Sequence, residues 1–296
     1  MSGQLKEVRE RITSVKSTQQ ITKAMKMVSA AKLRKAQQAI TEMRPYADRL
    51  NKMLVNILSN LEGGADTAFG QEREINNVAI AIVTSSKGLC GAFNANITKA
   101  AIAKIDGEYA EHAAAGKLTV VGLGKKGYEV LKKRYPNLNF IEDHVGIFSN
   151  LNFDTISAGA KHLMDGFLDG TYDRVDVAYG QFKNAGLQFP QCVQYLPVPK
   201  MENVDGSKSK ADYIFEPSKE ALLEQLVPTI LQTTFQKYVL DTHASEHGAR
   251  MTAMDAATEN AEELMKDLKI SYNKARQEAI TKELSEIVGG AAALAG

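Results

Sequence analysis

A heptad stripe runs through each end of this 296-residue chain and restricts its fold more than any other feature. Stepping by sevens from Leu5 meets Ile12, Gln19, Lys26, Leu33, Ile40, Ala47, Leu54 and Leu61. The companion series from Val8 meets Val15, Thr22, Ser29, Ala36, Met43, Leu50 and Ile57. Apolar residues dominate both series, which is the pattern of a coiled-coil seam. Four exceptions, Gln19, Thr22, Lys26 and Ser29, follow one another along the seam. Ile21, Met25 and Val28 lie nearby, and they predict that the apolar face rotates locally. Pro45 predicts a kink.

The C-terminal end repeats the signal. Leu240, Ala244, His247, Met251, Met254, Thr258, Ala261, Met265, Leu268, Tyr272, Ala275 and Ala279 alternate steps of four and three. The stripe then shifts to Ile280, Leu284, Ile287 and Val288. Pro217 predicts a helix start, and Pro228 and Gly248 predict bends. Helices over residues 5–61 and 218–288 would be roughly 85 and 105 Å long, against about 30 Å for a compact domain. They must therefore project from any globule. Residues 1–61 carry 12 Lys/Arg against 4 Asp/Glu, whereas residues 212–296 carry 8 against 14. Opposite charge favours pairing of the two segments, and the simplest arrangement is antiparallel. The longer C-terminal helix is expected to run past its partner. Packing of both helices on a larger helical bundle is the alternative.

Between them, Val78–Thr84, Leu118–Val121 and Phe140–Ile141 read as strands alternating with helices over 94–105, Lys125–Arg134 and Thr155–Leu168. Arg174–Phe182 and Gln191–Val198 read as two more strands, joined by a Gly/Pro turn. Strand–helix alternation closed by a hairpin predicts a mostly parallel sheet with an antiparallel edge. The fold class expected is α/β: a long antiparallel coiled coil of the N- and C-terminal helices plus a central Rossmann-like α/β domain. The divisions are 1–61, 75–200 and 212–296, with residues 200–212 as a flexible loop.

Composition removes several function classes. The 36 basic and 35 acidic side chains nearly cancel, so no overall charge excess points to nucleic acid or an anionic membrane. Two distant cysteines, Cys90 and Cys192, make neither a disulfide framework nor a cysteine-rich zinc site. No signal peptide is readable. The longest C-terminal apolar stretch, Ile287 to Ala295, is far shorter than the ~20 residues needed to span a bilayer. A soluble, reduced, intracellular protein is expected.

Three short motifs invite chemistry. Gly122-Leu-Gly124-Lys-Lys-Gly127 matches a dinucleotide fingerprint between a strand and a helix, with Glu142 as the ribose-binding acid. Ser85 to Asn94 could cradle an anion with backbone amides. His243-Ala-Ser-Glu246-His247 has the spacing of an inverted zinc-hydrolase motif. Against these stand a plain glycine turn, a plain structural turn and a coincidence on a coiled-coil helix. No Ser/His/Asp or Cys/His constellation accompanies them, so no catalytic centre, cofactor site or metal site is expected.

Ile21-Thr-Lys-Ala-Met25-Lys-Met27-Val-Ser-Ala-Ala-Lys32-Leu-Arg34 resembles the N-terminal helix of the gamma subunit of F-type ATP synthases. Gly88-Leu-Cys90-Gly resembles that family's first strand–helix turn. The resemblance continues through Ala249-Arg250-Met251, Asn260-Ala-Glu262, Tyr272 to Gln277, Ile280 to Leu284 and Glu286-Ile287-Val288-Gly-Gly-Ala. Ser86-Lys87 departs from the family's usual Asp-Arg. The extra cysteine pair of redox-regulated chloroplast members is absent.

The resemblance implies a non-catalytic rotor shaft that couples proton flow to ATP synthesis and regulates ATPase activity and proton flow. It implies alpha and beta subunits of the catalytic ring, the epsilon subunit and the membrane c-subunit ring as partners. Association with the membrane would come only through the complex, on the cytoplasmic face of a bacterial inner membrane. Met25, Arg276, Gln277, Thr281, Glu283, Ile287 and Val288 would contact the catalytic ring. Tyr213 and Glu216 would contact the c ring or epsilon. The competing readings are a coiled-coil scaffold or nucleic-acid-binding protein without enzymatic activity, favoured by the basic N-terminal segment, and a nicotinamide-dependent enzyme.

Overall fold

A computed structural model describes residues 3–59, 68–198 and 219–295. The chain divides into two compact units, Met1–Ser29 with Met251–Gly296, and Ala30–Arg250. The helices α1 (Gly3–Ser59) and α6 (Lys219–Ala295) each contribute to both.

The larger unit is built on five strands: β1 (Val78–Val83), β2 (Leu118–Leu123), β3 (Asn139–Ile141), β4 (Arg174–Asn184) and β5 (Leu187–Leu196). Their order across the sheet is β3-β2-β1-β4-β5. All neighbours are parallel except the hairpin pair β4 and β5. Central β1 is buried along its whole length. Its Ala79, Ala81 and Val83 feed one apolar core, and Val78, Ile80 and Ile82 feed the other. A parallel strand covered on both faces must be apolar at every position, which is why Val78–Thr84 is readable as an unbroken apolar run.

The first core is closed by α5 (Phe153–Leu168), through Ile156, Ala160, Leu163 and Phe167, and by Val227, Ile230, Leu231, Phe235 and Val239 of α6. The second is closed by α2 (Phe93–Asp106) and α4 (Lys125–Arg134), through Phe93, Ile97, Ala101, Ile105 and Leu131. A five-residue helix, α3 (Ala110–Ala114), and a 3-10 turn (Ile147–Ser149) were not expected from the pattern.

The hairpin is longer than its apolar pattern suggests. β5 begins at Leu187 rather than Gln191 and includes Pro190. A proline is tolerated there because β5 is an edge strand. The turn is tied by Asn184, whose Oδ1 accepts from the amides of Gly186 (3.0 Å) and Leu187 (2.8 Å).

Neither long helix is broken at these residues: α1 is continuous through Pro45, and α6 through Pro228 and Gly248. A proline strands the carbonyl four residues earlier. Those carbonyls belong here to Thr41 and Glu224, both exposed residues where water can take the bond. Pro217 and the 200–212 loop lie outside the described residues.

In the smaller unit, Thr22 Oγ1 lies 2.8 Å from Thr258 Oγ1, and Lys26 pairs with Asp255. Moving up α1 therefore means moving down α6, so the pair is antiparallel. Leu5 and Ala275, each seventeen residues from the threonines, are both buried on the same register. Met254, Ala261 and Leu268 continue the seam as the heptads predict.

One expectation fails. The seam does not rotate at residues 19–29: Thr22 and Ser29 stay inside at 8% and 2% exposure, while Ile21 and Val28 point outward at 59% and 57%. Small hydroxyl side chains fit the closely spaced seam and have backbone acceptors at hand: the Gln19 carbonyl lies 3.1 Å from Thr22 Oγ1 and the Met254 carbonyl 2.7 Å from Thr258 Oγ1, so one hydroxyl donates to its own helix while the other donates across the seam. An Ile in place of Thr22, or a Val in place of Ser29, would overpack it.

Candidate functional site

The glycine fingerprint is filled by the protein itself. Gly124 has φ +101° and lies so near β1 that a Cβ would sit 1.7 Å from the Thr84 carbonyl oxygen. Gly127 donates its amide to Thr84 Oγ1 (2.9 Å), and Lys126 donates its own to the Ser85 carbonyl (3.1 Å). A pyrophosphate needs those helix N-terminal amides free. Glu142 accepts instead from the Tyr128 hydroxyl at 3.2 Å. The loop is a close strand–helix crossing, as the plain structural reading has it.

The Ser85–Asn94 segment is likewise closed on itself. Asn94 Oδ1 accepts the Ser85 amide (3.0 Å), and Asn94 Nδ2 reaches Ser85 Oγ (2.7 Å) and Cys90 Sγ (3.2 Å). Leu89 and Gly91 take positive φ to make the turn. From α6, Arg250 Nη2 donates to the carbonyls of Lys87 and Gly88, each at 3.2 Å.

The His-x-x-Glu-His spacing leads to the same arginine. His243 and His247 face each other with Nε2 atoms 3.1 Å apart, and His247 Nδ1 lies 3.4 Å from Arg250 Nη1. A guanidinium only donates, so His247 accepts at Nδ1 and donates through Nε2 to His243. Glu246 turns to Arg250, with Oε1 2.6 Å from Nη1 and both side chains nearly buried. Burial, aided by Lys32 and Arg250, lowers His243 to about 4. Burial and the neighbouring His243 lower His247 to about 3. Burial raises Glu246 despite Arg250. Among the described residues no group of three or more His, Cys, Asp or Glu side chains converges to hold a metal. A zinc hydrolase needs a third protein ligand and a general base, and Glu246 is spent on an ion pair.

The exposed candidates lie on the helices. Met25 is half-buried beside the seam. Arg276, Gln277, Thr281 and Glu283 are all exposed on α6. Residues seven apart share a helix face, so Arg276 stands above Glu283; Gln277 stands above Thr281, whose Oγ1 donates to the Gln277 carbonyl (2.9 Å). Ile287 and Val288 are exposed at 67% and 66%. Tyr213 and Glu216 lie outside the described residues. The heptad reading missed Met27, exposed with Ile21 and Val28, and it missed Thr242 and Ser245 of α6. Two adjacent apolar residues off the heptad register were the available signal for the first. Hydropathy carries no signal for the second.

These features define a class: an α/β protein whose reactive-looking motifs are consumed by internal packing and whose long helices carry much of its exposed apolar surface. The family model described as ATP synthase matches residues 4–294. The ATP synthase gamma chain of Cytophaga hutchinsonii is 53% identical over 292 residues, covering 98% of both chains. That of Flavobacterium psychrophilum is 51% identical and covers 99% of both. The chain belongs to the ATP synthase gamma chain family. Among solved structures, a chain of the Euglena gracilis mitochondrial ATP synthase OSCP/F1/c-ring assembly shares the fold with a TM-score of 0.65 at 21% identity, over 99% of this chain and 95% of that one. A chain of the Tetrahymena thermophila central stalk and c-ring has a TM-score of 0.52 at 24% identity, over 80% and 99%. Family membership leaves the nucleic-acid, scaffold and nicotinamide readings without support. Among the described residues, no helix is long and apolar enough to cross a membrane.

Proposed function

We infer that this chain is the central rotor shaft of a bacterial ATP synthase, carrying rotation of a proton-driven c ring to the catalytic subunits and regulating ATPase activity and proton flow. The observation that carries the reading is family membership over nearly the whole chain, together with an antiparallel helix pair whose α6 end has no partner among the described residues. At the Thr22–Thr258 register, Gly3 stands opposite Gln277, and residues 280–291 beyond it are all exposed. A shaft end that turns inside a sleeve has to be free of its partner helix.

In this reading the chain performs no chemistry, binds no cofactor or nucleic acid, and reaches the cytoplasmic face of the inner membrane only through its complex. Segments 1–61 and 212–296 act as the shaft and 75–200 as its α/β base. Met25, Arg276, Gln277, Thr281, Glu283, Ile287 and Val288 face the alpha and beta subunits, and Tyr213 and Glu216 face epsilon or the c ring.

Purification of the ATPase from native membranes tests the reading, with the chain expected in stoichiometric amount. Arg276→Ala with Gln277→Ala should lower proton-driven ATP synthesis in assembled complexes, and Glu216→Lys should weaken attachment to the c ring or epsilon. A chain that never co-purifies with ATPase activity would refute the shaft role. Full synthesis by the double variant would refute the α6 contact, and full proton-driven activity after Glu216→Lys would refute the foot contact.

A further inference from the structure

Between Thr242 and Arg250, α6 takes hold of backbone rather than side chains. Thr242 Oγ1 accepts the Gly180 amide (3.2 Å), and Ser245 Oγ donates to the Gly180 carbonyl (3.0 Å). Gly180 lies beyond Ala178, where the pairing of β4 with β1 ends. Its missing side chain matters too, since a Cβ would lie 2.7 Å from the Phe93 ring. Next along the helix, Gly248 lies against the backbone of Ala185 in the hairpin turn, where a Cβ would be 3.1 Å from the carbonyl oxygen. Arg250 then grips the Lys87 and Gly88 carbonyls while Glu246 and His247 hold its other nitrogen.

Three backbone segments of the sheet unit are thus engaged within nine residues of one helix. The apolar contacts of Val227 to Val239 lie earlier on the same helix and are non-directional. Within that stretch the directional tie is the Tyr195 hydroxyl, which donates to the Leu231 carbonyl at 3.0 Å. Hydrogen bonds to both backbone groups of a single residue are directional and fail on small displacements. Helix positions three apart share a face, so Thr242 and Ser245 cannot both keep Gly180 if α6 slides or turns about its axis.

We propose that Thr242, Ser245 and Arg250 form a torsional anchor that fixes α6 against rotation within the α/β unit and passes torque between helix and sheet. This rests on the rotor reading above and assigns these residues a positioning role in it.

The test uses the assembled ATP synthase carrying Thr242→Val with Ser245→Ala. These changes keep approximate volume and delete the grip on Gly180. ATP hydrolysis should persist, while the torsional stiffness of the shaft, read from its rotational fluctuations, and protons pumped per ATP both fall several-fold. Thr242→Ser with Ser245→Thr retains both hydroxyls and should restore both readouts. Unchanged stiffness and pumping in the Val/Ala complex would overturn the anchor. So would an equal loss in the Ser/Thr complex, since packing alone would then be responsible. If the Val/Ala variant does not assemble, Ser245→Ala alone should give a partial loss of stiffness, and wild-type stiffness there would overturn the proposal. Loss of rotation coupling in the wild-type complex would instead count against the rotor reading itself.

Discussion

Thr22 and Thr258, 236 residues apart in sequence, meet hydroxyl to hydroxyl at 2.8 Å across a seam that is otherwise mostly apolar. A polar contact at a single level fixes helix register, because any slip would bury hydroxyls among apolar side chains. Thr22→Val alone should destabilise the chain by about 0.5–1.5 kcal/mol, and Thr22→Val with Thr258→Val should recover most of that loss, since both partners are then apolar and similar in shape. Urea denaturation of the two singles and the double gives the coupling energy. Strict additivity would mean that the contact fixes nothing.

Stability against pH follows from burial along α6. Asp241 is raised to about 6 by burial, opposed by Lys237 and Arg44; Tyr179 and Tyr238 are its other titratable neighbours. A carboxyl raised in the folded state contributes stability that is fully present below the unfolded pKa, 3.8, and is lost as pH rises through about 6. His243 and His247 act in the opposite sense. Their folded values, about 4 and about 3, lie below 6.5, so their contribution is present above 6.5 and lost as pH falls through the folded values. Asp241→Asn should therefore raise stability at pH 7 by on the order of 1–3 kcal/mol. Between pH 6 and 4 it should make stability fall more steeply with acid than in the wild type. Unfolding midpoints across that range decide it.

The glycine loop makes a prediction about stability in place of one about cofactors. Thr84→Val removes the acceptor of the Gly127 amide and should cost about 1–3 kcal/mol, as for a buried donor left unpaired. Gly124→Ala should cost more than Thr84→Val, because its Cβ would collide with the backbone of β1 at a positive φ. Thermal unfolding of both variants checks the order. A smaller effect at Gly124 would mean that the crossing can relax.

At the free end of α6, Val288→Asp should leave the folding stability of the chain within about 0.5 kcal/mol, as for other exposed positions. It should still lower assembly or turnover of the ATP synthase, because in the proposed rotor reading a charge would enter an apolar sleeve. Carboxypeptidase should trim this end in the free chain and spare it in the complex. Equal trimming in both states would exclude the sleeve.

Much of this architecture is readable because it depends on period. The heptads of α1 and α6, the apolar run of β1 and the limits of α4 at Lys125 and Arg134 all follow from residue spacing and local chemistry. What could not be read depends on size and on partners distant in the chain. Hydropathy puts Val28 inside and Ser29 outside, and close helix packing reverses the order. Pro190 looks like a strand break until its position at the sheet edge is known. Ser245 looks like a solvent residue until Gly180, 65 positions away, presents its carbonyl. The exposed α6 candidates are visible as a motif, but Tyr213 and Glu216 have no described surroundings to judge them by.

The inversion at Ile21, Met27 and Val28 bears on how a cell must manufacture this protein. Three large apolar side chains close together on the outside of a helix make the chain adhesive before its partners arrive. Nothing in the helix pair can tuck them away, because the inward positions of that stretch are already taken by Thr22 and Ser29. In the proposed rotor reading, partner subunits cover this surface, and synthesis in excess of them would leave sticky orphans for proteases and chaperones. Matched production, subunit for subunit, is what that reading asks of the cell, on account of one short stretch of a single helix.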